Sequence, residues 1–252
     1  MLHSFLRKKR LGAYCYKMKD TKKQNKIKKV SQGRFMATAS GGTCAAAAVS
    51  GDAAYACSLP DGRLAFILSD GMGKGMKAAA ESKAVVKKLS RLLKRGTAPS
   101  RAIKIVNREL IRKSSFETDS NEIFATLDLL LVDKERGKAQ FYKMGAATSY
   151  IIRNQSVRKV EQAALPIGIV HKVQARQLCM RLFPDDVLVM VSDGITEADR
   201  DDLEAKWLQE YLTKTDSDLG PRNMASRIAK LAEDKFSATK KDDISVIVIQ
   251  IK

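Results

Sequence analysis

A series of short apolar runs, each halted by a turn signal, most constrains what this chain can fold into. The runs are 63–69 (RLAFILS), 123–133 (IFATLDLLLVD), 139–152 (AQFYKMGAATSYII), 156–161, 174–183, 187–192 (VLVMVS) and 244–251 (ISVIVIQI). Their lengths and β-branched content read as buried strands. Gly137 and Pro184-Asp185-Asp186 supply the turns between neighbours. Helical periodicity appears in sequence-adjacent pairs. Val85, Leu89, Leu92 and Leu93 share one helical face, and Gly96 closes that helix. Ile103, Val106 and Leu110 share the face of a second, capped by Ser100. Two more helices fit 202–212, around the single Trp207, and 221–236, where Pro221 suits the first turn. Strands in series with helices in pairs predict stacked sheets covered by helices and exclude a doubly wound βαβ repeat.

Two of the runs stop at the same tripeptide. FILSDGMG at 66–73 and LVMVSDGIT at 188–196 both place Ser-Asp-Gly where a buried strand emerges. A strand end is a rigid mount for a side chain, and the following glycine leaves room beside it. Asp52, after Ser50-Gly51, and the pair Asp242-Asp243, before the final run, have similar settings. Carboxylates gathered at strand ends repel one another unless a cation sits among them. Hard divalent cations take oxygen ligands, and two ions about 3.5–4 Å apart can activate a shared water and hold phosphoryl oxygens. Ser-Asp-Gly is also an ordinary turn sequence, and the spacing by itself names neither metal nor reaction.

Only His3 and His171 are present, which argues against a histidine-rich metal site or a serine–histidine–aspartate machine unless His171 is the base. The turn GMGKG at 71–75 fits neither a P-loop nor the G-x-G-x-x-G dinucleotide fingerprint. Cys15, Cys44, Cys57 and Cys179 form no C-x-x-C pair and read as reduced thiols of a cytoplasmic protein. No run reaches the length of a membrane span, and the N-terminus lacks the apolar segment of a signal peptide.

The formal charge is +18, but residues 1–30 carry eleven Lys/Arg against one acid, a net of +10, leaving +8 for the rest. The chain therefore divides into a basic N-terminal arm or linker, 1–33, and a domain, 34–252. The arm has the composition of a solvated tail, or of a segment meeting anionic lipid or nucleic acid. Its three aromatics, Phe5, Tyr14 and Tyr16, are too few for base stacking.

From Arg34 to Lys252 the chain resembles the phosphatase domain of the stage II sporulation protein E family, within the PP2C-like (PPM) serine/threonine phosphatases. The motifs that carry the resemblance are VSGD at 49–52, LSDGMGKG at 68–75, IFATLDLLLVD at 123–133, GAATSYIIR at 145–153, LPIGI at 165–169, VLVMVSDGITEA at 187–198 and KDDISVIVI at 241–249. The resemblance implies an α+β fold, an αββα sandwich of two antiparallel sheets flanked by helices. It implies a metal-dependent protein serine/threonine phosphatase, using two Mn²⁺ ions, or Mg²⁺, and a metal-bridging water as nucleophile. Asp52, Asp70, Asp193 and Asp242 would be the catalytic metal ligands, together with the backbone carbonyl of Gly71. Asp243 is the neighbouring alternative to Asp242. The implied substrate is a phosphorylated anti-sigma-factor antagonist, dephosphorylated on serine during sporulation. The helices at 77–95 and 99–113 would form a regulatory switch that completes the metal site.

Homodimerisation stays open, nucleic acid is not an expected partner, and membrane association would come only from upstream regions or weakly from the arm. Full-length relatives are expected to be membrane-anchored with the phosphatase in the cytoplasm. Arg34, Lys74 and Lys77 lie near the motifs but read as surface cations. Two other functions stay open: a stress-response phosphatase of the same class, and a non-catalytic module whose basic arm binds nucleic acid or lipid.

Overall fold

A computed structural model describes residues 16–17, 37–44, 49–73, 75–115, 123–199, 201–202, 204–215, 219–236 and 242–252, with side chains from residue 49 onward. The basic arm, 1–33, lies outside the described residues except for its strand Tyr16–Lys17.

The strands are β1 (Tyr16–Lys17), β2 (Ala37–Cys44), β3 (Asp52–Ser58), β4 (Leu64–Asp70), β5 (Leu127–Asp133), β6 (Lys138–Met144), β7 (Ser149–Arg153), β8 (Ser156–Val160), β9 (Leu178–Arg181), β10 (Val187–Val191) and β11 (Ile244–Ile251). The helices are α1 (Met76–Lys94), α2 (Pro99–Ser114), α3 (Asp193–Thr196), α4 (Lys206–Lys214) and α5 (Gly220–Lys235). One sheet has the order β1-β3-β4-β5-β6-β9, the other β2-β11-β10-β7-β8. Every ladder is antiparallel.

Three apolar layers hold these elements together. Val85, Leu89 and Leu93 of α1 and Ile103, Val106 and Leu110 of α2 pack on the odd-numbered residues of β4 and β5, such as Ile67 and Leu129. Leu208 and Leu212 of α4 and Ile228 and Ala232 of α5 pack on Val189, Val246 and Val248 of the second sheet. Between the sheets lie Leu64, Phe66, Leu68, Leu130, Phe141, Ile151, Leu188, Met190, Ile247 and Ile249. Successive side chains of a strand point to opposite faces, so each strand divides its apolar residues between the inter-sheet core and its helical layer. The result is the expected αββα sandwich of two antiparallel sheets.

Some boundaries differ from the sequence reading. The run 139–152 is two strands in different sheets, broken at Gly145, whose φ is +61° and whose missing Cβ would lie 2.5 Å from the Pro166 ring. The run at 123 reaches its sheet only at Leu127; before it, Ala125 makes isolated bridges to Gly71 and Ile167. The helix expected over 202–212 begins later, at Lys206. The small-residue segment at 37–44, without an apolar signature, is an edge strand paired to β11.

Phe141 is fully buried between the sheets. Phe141→Ala should lower the unfolding free energy by about 3–5 kcal/mol, read as a lower urea midpoint at unchanged m-value. A loss below about 1 kcal/mol would contradict face-to-face packing of the sheets at this position.

Candidate metal centre at the sandwich edge

The inter-sheet stripes of these strands stop being apolar at one edge of the sandwich. Read along the inward-facing parity, Ala54 gives way to Asp52 on β3, Leu68 to Asp70 on β4, Leu130 to Asp128 on β5 and Phe141 to Lys143 on β6. In the other sheet Ile151 gives way to Ser149 on β7, Met190 to Ser192 after β10, and Ile247 to Ser245 on β11. Alternation alone aims all these polar side chains into one space.

Asp52 and Asp70 are paired directly opposite one another in the β3–β4 ladder. Like charges opposite each other destabilise a sheet. Asp52 is also 1% exposed, and neither of its carboxyl oxygens has a hydrogen-bond partner. Burial, and next the charge of Asp70, push its pKa well above the usual carboxylate range. The hydroxyls of Ser245 and Ser192 face it and soften the shift without reaching hydrogen-bond geometry. Asp70 is half-buried and pushed up to about 7, by burial first and then by Asp193, Asp242 and Asp243. Asp193 is pushed up to about 6 by burial, Asp242 and Glu197. These carboxyl groups form one electrostatic unit that holds protons in common.

The Ser-Asp-Gly turns are built around close main-chain contacts. At the first, Ser69 Oγ donates to the Thr126 carbonyl (2.7 Å), and Thr126 Oγ1 accepts from the Asp70 N–H (2.8 Å). A Cβ on Gly71 would lie 2.0 Å from the carbonyl oxygen of Ala78 in α1. At the second, a Cβ on Gly194 would lie 2.0 Å from the carbonyl oxygen of Asp243, and Ser192 Oγ accepts from the Ser245 N–H (2.8 Å). The space that the sequence suggested for an ion is therefore filled at both glycines by main chain. The first glycine lets α1 reach the site, and the second lets the start of β11 reach it.

Asp242 and Asp243 have different surroundings. Asp243 Oδ2 accepts the N–H of Gly51 at 2.6 Å, which ties it to the loop before β3. Asp242 adds its charge to both Asp70 and Asp193, and its Oδ1 accepts the adjacent N–H of Asp243. Arg34 and Lys74 lie outside the described residues, and Lys77 is exposed on α1. His171 is exposed, and no described hydrogen bond or ion pair joins it to these carboxylates. Sequence reading missed Asp128, Lys143, Ser149, Ser192 and Ser245; their signal was a polar residue on the inward parity of an otherwise apolar strand.

Among the described residues, no three carboxylate, cysteine or histidine side chains are drawn together tightly enough to form a finished ion-binding cluster. The donor set nevertheless fits a hard divalent cation. It is all oxygen, it carries an orphaned buried carboxylate at Asp52, and burial and mutual repulsion keep Asp52, Asp70 and Asp193 protonated at higher pH than usual.

A family model described as "Stage II sporulation protein E (SpoIIE)" matches residues 60–252. A protein named stage II sporulation protein E from Bacillus subtilis (strain 168) is 32% identical over 227 residues, 88% of this chain and 26% of its own length. Its namesake from Priestia megaterium is 30% identical over 209 residues, 81% of this chain and 34% of its own length. The chain thus spans between a quarter and about a third of these relatives. Among solved structures, the PP2C phosphatase domain with a regulatory-domain fragment of SpoIIE from Bacillus subtilis superposes with TM-score 0.77 at 29% identity, covering 86% of this chain and 62% of that one. The serine/threonine phosphatase Stp1 from Staphylococcus aureus, at 18% identity and TM-score 0.70 over 85% of this chain and 94% of its own, shares the fold. Among the described residues no helix is long and apolar enough to cross a membrane.

The raised carboxyl pKa values have a stability consequence with a definite sign. An acid whose folded pKa lies above its unfolded value of 3.8 binds more protons in the folded state, so stability falls as pH rises from about 4 to about 7 and then levels off. In chelator, the melting temperature should be lower at pH 8 than at pH 5.5. Asp70→Asn should raise the pH 8 value and flatten the profile. An Asp70→Asn profile as steep as the wild type would refute this account of the cluster.

Proposed function

Because the chain belongs to the stage II sporulation protein E family and carries the PP2C phosphatase fold, we propose that it is a metal-dependent protein serine/threonine phosphatase. The observation that carries the proposal is the buried, uncompensated pairing of Asp52 with Asp70, joined by Asp193 and Asp242. Asp52, Asp70, Asp193, Asp242 and the main-chain carbonyl of Gly71 would hold divalent cations, Mn²⁺ or Mg²⁺. Such ions supply Lewis-acid stabilisation of phosphoryl oxygens and a water nucleophile at neutral pH.

The chain's own residues do the rest. The two sheets fix the carboxylates at their edge, so the groups need no reorganisation when charge develops. Thr126 clamps the Asp70 end of β4, and the Gly51 N–H holds Asp243 beside it. Protons shared by Asp52, Asp70 and Asp193 must leave before cations bind, so metal affinity should rise with pH through about 6–7. The substrate proposed is a small protein phosphorylated on serine, of the anti-sigma-factor antagonist kind, acted on in the cytoplasm during sporulation. The basic surplus of the chain favours an acidic phosphoprotein. A stress-response phosphoprotein would use the same chemistry, and only turnover of the two substrates separates them.

Hydrolysis of p-nitrophenyl phosphate and of a phosphoserine protein, with and without Mn²⁺, tests the proposal. Metal-stimulated turnover is expected, with Asp70→Asn and Asp193→Asn each losing at least about 100-fold in kcat. Asp193→Asn with full activity, or a wild type indifferent to metal, would refute it. Because Ala78 of α1 abuts Gly71, we also expect α1 packing to reach the site. Leu89→Ala should raise the Mn²⁺ concentration for half-maximal activity as well as lower the melting temperature; unchanged metal dependence would separate the helix pair from regulation.

A further inference from the structure

One inward-facing pair at the sandwich edge has no part in the proposal above. Asp128 on β5 and Lys143 on β6 stand directly opposite in the ladder, 1% and 0% exposed. Lys143 Nζ donates to Asp128 Oδ2, and to Ser149 Oγ at 2.9 Å. Ser149 Oγ in turn donates to Asp128 Oδ2 at 2.7 Å. Ser149 begins β7 in the other sheet, so the three side chains bridge the two sheets.

A structural tie accounts for Lys143, Ser149 and Oδ2. It does not account for Oδ1, which is buried and has no hydrogen-bond partner. An unfilled buried acceptor is costly to keep. Asp128 also lines a pocket whose wall includes Asp70, Thr126, Ser192 and Asp193 and the turn at Gly145–Ala147. That wall offers a water the several polar partners it needs. Lys143 further cancels the charge of Asp128, so an acceptor oxygen enters the pocket without adding net charge to a cluster already crowded with carboxylates.

We infer that Asp128 is a positioning residue of the site: Lys143 and Ser149 lock its carboxylate so that Oδ1 accepts a hydrogen bond from a water in the pocket beside Asp70 and Asp193. The inference rests on the phosphatase reading for its catalytic consequence. It does not rest on it for its consequence in binding, because a carboxylate that orients groups around an ion site alters affinity for the ion itself.

The decisive variant is Asp128→Leu/Lys143→Met, which removes both charges together and extends the apolar stripe. Replacing a whole buried ion pair by apolar groups is often neutral for stability, so its melting temperature should stay within a few degrees of wild type. Its kcat for p-nitrophenyl phosphate should fall at least about tenfold with KM within about threefold, and its affinity for Mn²⁺ alone, by calorimetry, about 10–100-fold. A double variant with wild-type kcat and wild-type Mn²⁺ affinity would reduce the trio to a tie between sheets and overturn the inference. If it fails to fold, Asp128→Asn takes its place, with folding verified by circular dichroism and the same two outcomes deciding. If the wild type hydrolyses nothing, the phosphatase reading fails on its own, and Mn²⁺ calorimetry decides the role of Asp128: unchanged affinity overturns it.

Discussion

The edge of this sandwich depends on the register of one hairpin. β3 and β4 pair so that Asp52 faces Asp70, and two carboxylates opposed in this way repel when both are ionised. The apolar remainder of the ladder enforces it. Ala54 faces Leu68 and Ala56 faces Phe66 on the inter-sheet side, while Tyr55 faces Ile67 and Cys57 faces Ala65 on the helical side. A slip of one residue would turn every one of these side chains to the wrong face. The core therefore supplies the free energy that holds two carboxylates in mutual opposition. A rigid scaffold that fixes carboxylates in this way spares them reorganisation when an opposite charge arrives.

The two Ser-Asp-Gly turns extend the same coupling outward. Each glycine sits where main chain from another element comes so close that no Cβ fits, α1 at Gly71 and the Asp242-Asp243 segment at Gly194. Both elements therefore abut the turn that carries an aspartate. α1 is held by its apolar face on β3 and β4, and the Asp242-Asp243 segment by β11, a strand buried along its whole length. Of the two, α1 is held through side-chain packing, whereas β11 is laced into its sheet by backbone hydrogen bonds on both sides.

Much of this was legible in the sequence, for physical reasons that also mark where reading fails. Long apolar runs such as 244–251 and the helical faces around Leu89 and Val106 carry their own periodicity, and the structure has them within a residue or two. The strand at 37–44 has no apolar signature in the sequence, and its backbone pairing with β11 identifies it. Gly145 looked like one small residue among several, yet its positive φ and contact with Pro166 split an apparent single strand between two sheets. Asp52, Asp70, Asp193 and Asp242 stood out by their turns. Asp128 and Lys143 were hidden inside apparently continuous runs, visible only once the inward parity of β5 and β6 is known.

That parity also changes the meaning of the charge. A surplus of +18 invites thoughts of polyanions, yet at the sandwich edge the basic residues are outnumbered. Among the described residues, Lys143 is the cation buried there, and it is paired with Asp128 and donates to Ser149. No described ion pair reaches Asp52, Asp70 or Asp193. The fold thus neutralises Asp128 with a lysine and leaves the equally buried Asp52, with Asp70 and Asp193, to protons or to an external cation. With His171, the one histidine among the described residues, exposed, that uncompensated negative charge is the chemical resource the edge offers. A divalent ion is the ligand that matches it in charge, hardness and donor preference.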